Sequence, residues 1–174
     1  MENTNLFFQI FNLSHQNPLL DQLMVFGAEY LIFISYLLAL LLFFKAGSSE
    51  RKALVLTVLG FLISQILIRV IHLFYLEPRP FITFPITPLI KHTAEASFPS
   101  THTTIMATLA FSYMIYHSKY TLLFIFFLVW VGFARIFVGV HYPFDILGGM
   151  AVGLFSIRLA WILKNFLQKK ISRL

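Results

Sequence analysis

Apolar residues dominate this chain in long runs, and most charged residues sit in the stretches at their ends. Each run is about 20 residues long, the length a helix needs to cross the hydrocarbon core of a bilayer. Five such spans are predicted: Gln22–Phe44, Ala53–Leu76, Ser100–Tyr116, Tyr120–Val138 and Pro143–Leu163, the third being the shortest. Before them, NTNLFFQIFNLSH at positions 3–15 is too brief to span and reads as an interfacial helix. The expected architecture is therefore all-α. It is a polytopic membrane helical bundle of about five transmembrane helices plus the short N-terminal helix, forming one domain over residues 1–174.

Composition strengthens this picture. Of 174 residues, 59% are hydrophobic and only 11% charged, with 21 phenylalanines. A soluble domain carries roughly 25% charged residues, and a globule of this size could not bury so much apolar surface. The net charge of +6 would ordinarily suggest nucleic acid, but the basic residues sit at the ends of apolar runs, which excludes that partner. No cysteine occurs, so disulfides, thiolate catalysis and Cys-based metal sites are excluded. The N-terminus carries Glu2 and no basic region, unlike a cleavable signal.

The loop charges set an orientation. Lys45, Arg51 and Lys52 flank the first loop and Lys119 lies in the third. Lys164, Lys169, Lys170 and Arg173 crowd the C-terminus. The positive-inside rule makes these regions cytoplasmic, placing the N-terminus, the 77–99 loop and the Gly139–Tyr142 link outside. Arg69, Arg79, Lys91, Arg135 and Arg158 do not follow the rule and need another explanation. Gly149 and Gly153 form a GxxxG pair in the fifth span, read as helix packing.

Three polar clusters remain: Glu77-Pro78-Arg79-Pro80, Pro99-Ser100-Thr101-His102, and Arg135 with His141 and Asp145 following it. Under the derived topology all three lie on one side of the membrane. Two arginines that keep their charge would clamp a phosphate in bidentate fashion. Ser100 is a good N-cap at a helix start, where free N–H groups and the dipole attract anions. His102 sits in the same first turn and could donate a proton. His141, with Asp145 four residues on, has a carboxylate in reach to orient one ring nitrogen and raise the basicity of the other. Charged residues at span ends also snorkel to headgroups, which is the bland alternative for any one of them. A metal site of His102, His141 and Asp145 is the other alternative, opposed by the two arginines, which would repel a cation.

These residues resemble the type 2 phosphatidic acid phosphatase superfamily, whose three motifs are lysine-x6-Arg-Pro, Pro-Ser-Gly-His and Ser-Arg-x5-His-x3-Asp. Here they read His72 to Arg79-Pro80, Pro99-Ser100-Thr101-His102, and Ala134-Arg135-IFVGV-His141-YPF-Asp145. YLEPRPF, ASFPSTHTT, ARIFVGVHYPFDILGG and the N-terminal FNLSHQNPLLDQLMVFGAEY resemble in particular its bacitracin-resistance branch, the undecaprenyl pyrophosphate phosphatases. The resemblance implies hydrolysis of undecaprenyl pyrophosphate to the monophosphate at the outer face of a bacterial plasma membrane. This recycles the cell-wall carrier lipid without a metal or other cofactor. Partners are then the polyprenyl pyrophosphate and the bilayer.

It also implies roles. His141 is the nucleophile, Asp145 orients it and His102 is the general acid. Arg79, Arg135, Ser100 and Thr101 bind phosphate. Three departures stand out: His72 replaces the lysine, Thr101 the glycine and Ala134 the serine. Arg69, one turn before His72, could substitute for the missing lysine. Glu77 and Lys91 are further candidates, Lys91 for a second phosphate. Phosphatidate or phosphatidylglycerol phosphate as substrate, a lipid-binding or transport subunit without catalysis, and a decayed relative are the rival readings.

Overall fold

The computed structural model describes residues 2–171. All regular structure among them is helical, in the order α1 (Glu2–Phe11), α2 (Pro18–Glu29), α3 (Leu31–Lys45), α4 (Ser48–Phe74), α5 (Pro80–Thr83), α6 (Thr101–Ile115), α7 (Thr121–Phe137) and α8 (Pro143–Ile171). Arg173, one of the C-terminal charges used to orient the chain, lies outside the described residues.

The helices differ from the five expected spans in instructive ways. Only α4 and α8 are by themselves long and apolar enough to cross a membrane. The first expected span is a bent pair, with α2 and α3 meeting at 53° around Tyr30. It also begins earlier than expected, because Asn17 caps α2 by accepting from the amides of Leu19 and Leu20, and Pro18 takes the first helical position. At 15 and 17 residues, α6 and α7 reach only about 23 and 26 Å at 1.5 Å per residue.

The short α6 is the hub. It packs against α8, α7 and α4, and Met106, Ala107, Leu109, Ala110 and Tyr113 are wholly buried. Its hydroxyls turn back on the main chain: Thr104 Oγ1 donates to Ser100 O (2.9 Å) and Ser112 Oγ to Thr108 O (2.8 Å). Enclosure by neighbours is why a helix this polar has a place in an apolar bundle. Gly149 and Gly153 are where α8 touches it. A Cβ at Gly149 would stand 2.8 Å from Ser100 O, and one at Gly153 3.0 Å from Thr104 O. The packing reading of the GxxxG pair therefore holds.

The N-terminal α1 is docked on the bundle. Phe7 and Phe11 are buried with Ile136, Tyr142 and Ile146. The rings of Phe7 and Tyr142 meet edge to face at 5.5 Å, and Asn3 Oδ1 accepts from the Phe144 amide. The helix thus covers the turn between α7 and α8. That turn requires Gly139, whose φ of +86° is left-handed and whose missing Cβ leaves room for Phe11.

Candidate functional site

The three polar clusters converge at one end of the bundle. The extended segment between α5 and α6, the first turn of α6, the end of α7 and the start of α8 each supply part of one site.

Its centre is His141, only 2% exposed. The ring Nδ1 lies 3.3 Å from Asp145 Oδ2. Arg79 Nη1 lies 3.1 Å from Nε2. Arginine only donates, so Nε2 accepts with its lone pair and the ring proton sits on Nδ1, facing the carboxylate. Burial, and then the charges of Arg135 and Arg79, hold the imidazole well below its ordinary pKa. The ring is therefore neutral, with a nucleophilic lone pair aimed at a cationic pocket.

Asp145 is completely buried. Its Oδ2 accepts from Ser97 Oγ (2.5 Å) and from the Tyr142 amide (2.7 Å), besides facing His141. Ser97, also fully buried, had no assigned part in the sequence reading. The only sign of it was its place two residues before Pro99-Ser100.

The arginines divide their work in a way the motif did not foretell. Four of the five N–H groups of Arg79 are committed, to Glu95 O (3.0 Å), Val140 O (3.0 Å), Ala96 O (3.2 Å) and His141 Nε2. Arg79 is thus a latch joining the 95–96 segment to the His141 turn, and a bidentate clamp from it would require breaking those bonds. Arg135 is the opposite case. It is 1% exposed and gives one bond, from Nη1 to Ala28 O at 3.4 Å, across the bend between α2 and α3. Its Nε and Nη2 have no partner. A buried guanidinium with unsatisfied donors is a strong anion site.

Ser100 caps α6, its Oγ accepting from the Thr103 amide and hydroxyl, while its own amide donates to Asp145 O (3.0 Å). This last bond ties the α6 start to the α8 start. Thr101 opens α6 and is half-buried. His102 follows, half-buried and within electrostatic reach of Arg135, His92 and Arg79.

The remaining candidates lie apart. Arg69 is exposed on α4, so it does not replace the missing lysine. It does lie one turn before His72, but its side chain is exposed while that of His72 is half-buried. His72 Nε2 donates to Phe98 O at 3.1 Å, behind the site. With Glu77 and Glu95 it lines an adjoining cavity of about 530 Å³. Lys91 is exposed on the loop. Arg158 stacks over Trp161 at 4.8 Å. Among the described residues no group of three or more His, Cys, Asp or Glu is arranged to hold a metal ion. His92, given no role from sequence, lies beside His141, with the two ring centroids 6.3 Å apart.

Comparison with known proteins places this arrangement. Residues 53–169 match the PAP2 superfamily. The chain is 36% identical over 169 residues to undecaprenyl-diphosphatase BcrC of Bacillus subtilis, covering 94% of this chain and 87% of that protein. It is 29% identical to the bacitracin transport permease protein BcrC of Bacillus licheniformis, over 88% of this chain and 76% of that one. The crystal structure of Aquifex aeolicus LpxE superposes with a TM-score of 0.72 at 25% identity, covering 92% of this chain and 95% of that one.

Proposed function

This chain belongs to the PAP2 superfamily, and we propose that within it the chain is a membrane hydrolase that converts undecaprenyl pyrophosphate to undecaprenyl phosphate and inorganic phosphate. The observation that carries this reading is the buried His141, with Nδ1 tied to Asp145 and the lone pair of Nε2 facing Arg79.

Released from its hydrogen bond with Arg79 Nη1, His141 Nε2 attacks the terminal phosphorus in line. The bond from that phosphorus to the bridging oxygen breaks, and its electron pair leaves with the lipid monophosphate. Asp145 holds the Nδ1 proton and balances the imidazolium charge of the phosphohistidine. Arg135, through Nε and Nη2, binds non-bridging oxygens as charge shifts onto them. Ser100 orders the α6 start as its N-cap and Thr101 contributes its amide there, where the helix dipole favours an anion. His102 protonates the leaving oxygen, then activates the water that cleaves the phosphohistidine and returns free His141.

The lipid tail would lie where hydrocarbon already is. An apolar groove of about 300 Å³, lined by Ile32, Phe33, Tyr36, Val58, Phe61 and Ile105, opens between α3, α4 and α6. Ile105 lies one turn along α6 from His102, and the groove's apolar lining suits a hydrocarbon tail. The substrate enters laterally, and the charge pattern of the loops supports a site on the outer side of the plasma membrane.

Phosphate release from undecaprenyl pyrophosphate in detergent, with EDTA present, tests the reading in wild type and His141→Ala. Release that survives EDTA and vanishes in the variant is the expected result. Release abolished by EDTA would make the histidines metal ligands and overturn the mechanism. A second reading, a transport subunit, is favoured by the name of the Bacillus licheniformis relative. A transport role needs no nucleophile, so His141→Ala would still confer bacitracin resistance under that reading.

A further inference from the structure

Neither cation that α4 offers reaches the site: Arg69 is exposed and His72 donates to Phe98 O. The donor that does reach it comes from a segment with no assigned role. His92 is half-buried on the loop between α5 and α6, its ring edge-to-face with that of His141, at 74° between planes. The loop is anchored on both sides of it. On one side the Leu89 amide donates to Val138 O (3.0 Å); on the other Arg79 holds the carbonyls of Glu95 and Ala96. His92 is therefore held in place over the nucleophile.

Its two nitrogens are not equivalent. Nδ1 faces Thr93 O at 3.3 Å and, opposite a carbonyl, must be the donor. Nε2 has no protein partner in the structure. Around it stand Arg79 and Arg135, both close enough for their charges to act on the ring. An unpartnered imidazole nitrogen thus lies within electrostatic reach of Arg135, whose Nε and Nη2 are also unpartnered. Phosphoryl oxygens suit both. The Nε2 lone pair accepts from a protonated oxygen, and a protonated Nε2 donates to an anionic one.

We propose that His92 is a substrate-contacting residue, its Nε2 hydrogen-bonded to a non-bridging oxygen of the phosphoryl group that His141 attacks. This rests on the phosphatase reading for its substrate, though not for the anion itself. It gives the 84–99 loop a function: the loop brings a side chain to the phosphoryl group beside His141.

The test separates hydrogen bonding from ring packing. His92→Phe keeps an aromatic ring against His141 and has no polar nitrogen; His92→Gln keeps a donor and an acceptor and has no ring. Binding of inorganic phosphate to the purified full-length protein in detergent, followed by 31P NMR, is measured beside KM and kcat for undecaprenyl pyrophosphate. His92→Phe should weaken phosphate binding and raise KM roughly tenfold, the size of one charge-assisted hydrogen bond. His92→Gln should recover most of that loss. Wild-type binding by His92→Phe, equal loss in both variants, or a wild type that binds no phosphate would each overturn the proposal. A wild type that binds phosphate through His92 but releases none from the lipid would leave this inference standing and remove the function proposed above.

Discussion

Ser97→Ala isolates the part of the site that motif reading overlooked. Asp145 Oδ2 receives three contacts, from Ser97 Oγ at 2.5 Å, the Tyr142 amide at 2.7 Å and His141 Nδ1 at 3.3 Å, while Oδ1 receives none. Removing the serine hydroxyl takes away one of the two short donors and leaves the carboxylate free to turn. A hydrogen bond to a charged group is worth about 1.5–3 kcal/mol in a buried setting. Its loss would be felt most when His141 becomes cationic and needs its counter-ion in place. If roughly 1.4–2 kcal/mol of it appears in the barrier, kcat falls about 10- to 30-fold. The phosphate-binding donors of Arg135 are untouched, so KM should stay within about twofold. Initial rates of phosphate release from undecaprenyl pyrophosphate give both constants, and a thermal melt checks that the fold survives. A kcat within about twofold of wild type, or a loss confined to KM, would show that Ser97 does not hold the carboxylate for catalysis.

Other consequences are as direct. His102→Ala should cost about a hundredfold or more on a lipid phosphomonoester, whose alkoxide leaving group needs a proton, and clearly less on the diphosphate; equal losses on both substrates would remove the general-acid role. Because burial and the two arginines lower the His141 pKa, the ring is still neutral as pH falls through 6.5. The acidic limb of kcat/KM assigned to it should therefore lie below 6.5, and a limb above that value would contradict the geometry. Gly149→Ala forces a methyl to within 2.8 Å of Ser100 O. It should lower stability by about 1–3 kcal/mol and activity with it, since α6 and α8 carry the site between them; unchanged melting would refute the contact.

Much of this was legible in the chain because membrane helices announce themselves by length and because the site residues are polar exceptions in an apolar text. His141, Asp145, Arg79 and Arg135 come together as their spacing implied. What stayed hidden depends on the path of the backbone. The bend at Tyr30 has no proline to mark it, and its use, a carbonyl from Ala28 for Arg135, is a contact 107 positions apart in sequence. The latch role of Arg79 is invisible because its partners are carbonyls, which every residue carries. Ser97 and His92 lay in a loop with no periodicity to read, where only the fold decides which side chains face inward. Arg69 shows the converse error: one helical turn of spacing relates it to His72, yet its side chain is exposed while that of His72 is half-buried.

The polar character of α6 has a bearing on how the protein enters its membrane. A 15-residue segment with a histidine, four threonines and a serine between Thr101 and Ile115 gains little from lipid and is too short to bridge the hydrocarbon alone. Released singly from an insertion channel, it would not stay. It is retained once α4 and α7 are there to pack around it and α8 closes over its glycine-facing side. Biogenesis thus has an order: the strongly apolar helices are committed to the bilayer first. The segment bearing Ser100 and His102 settles among them last, so the site forms only in a chain whose outer frame is already assembled.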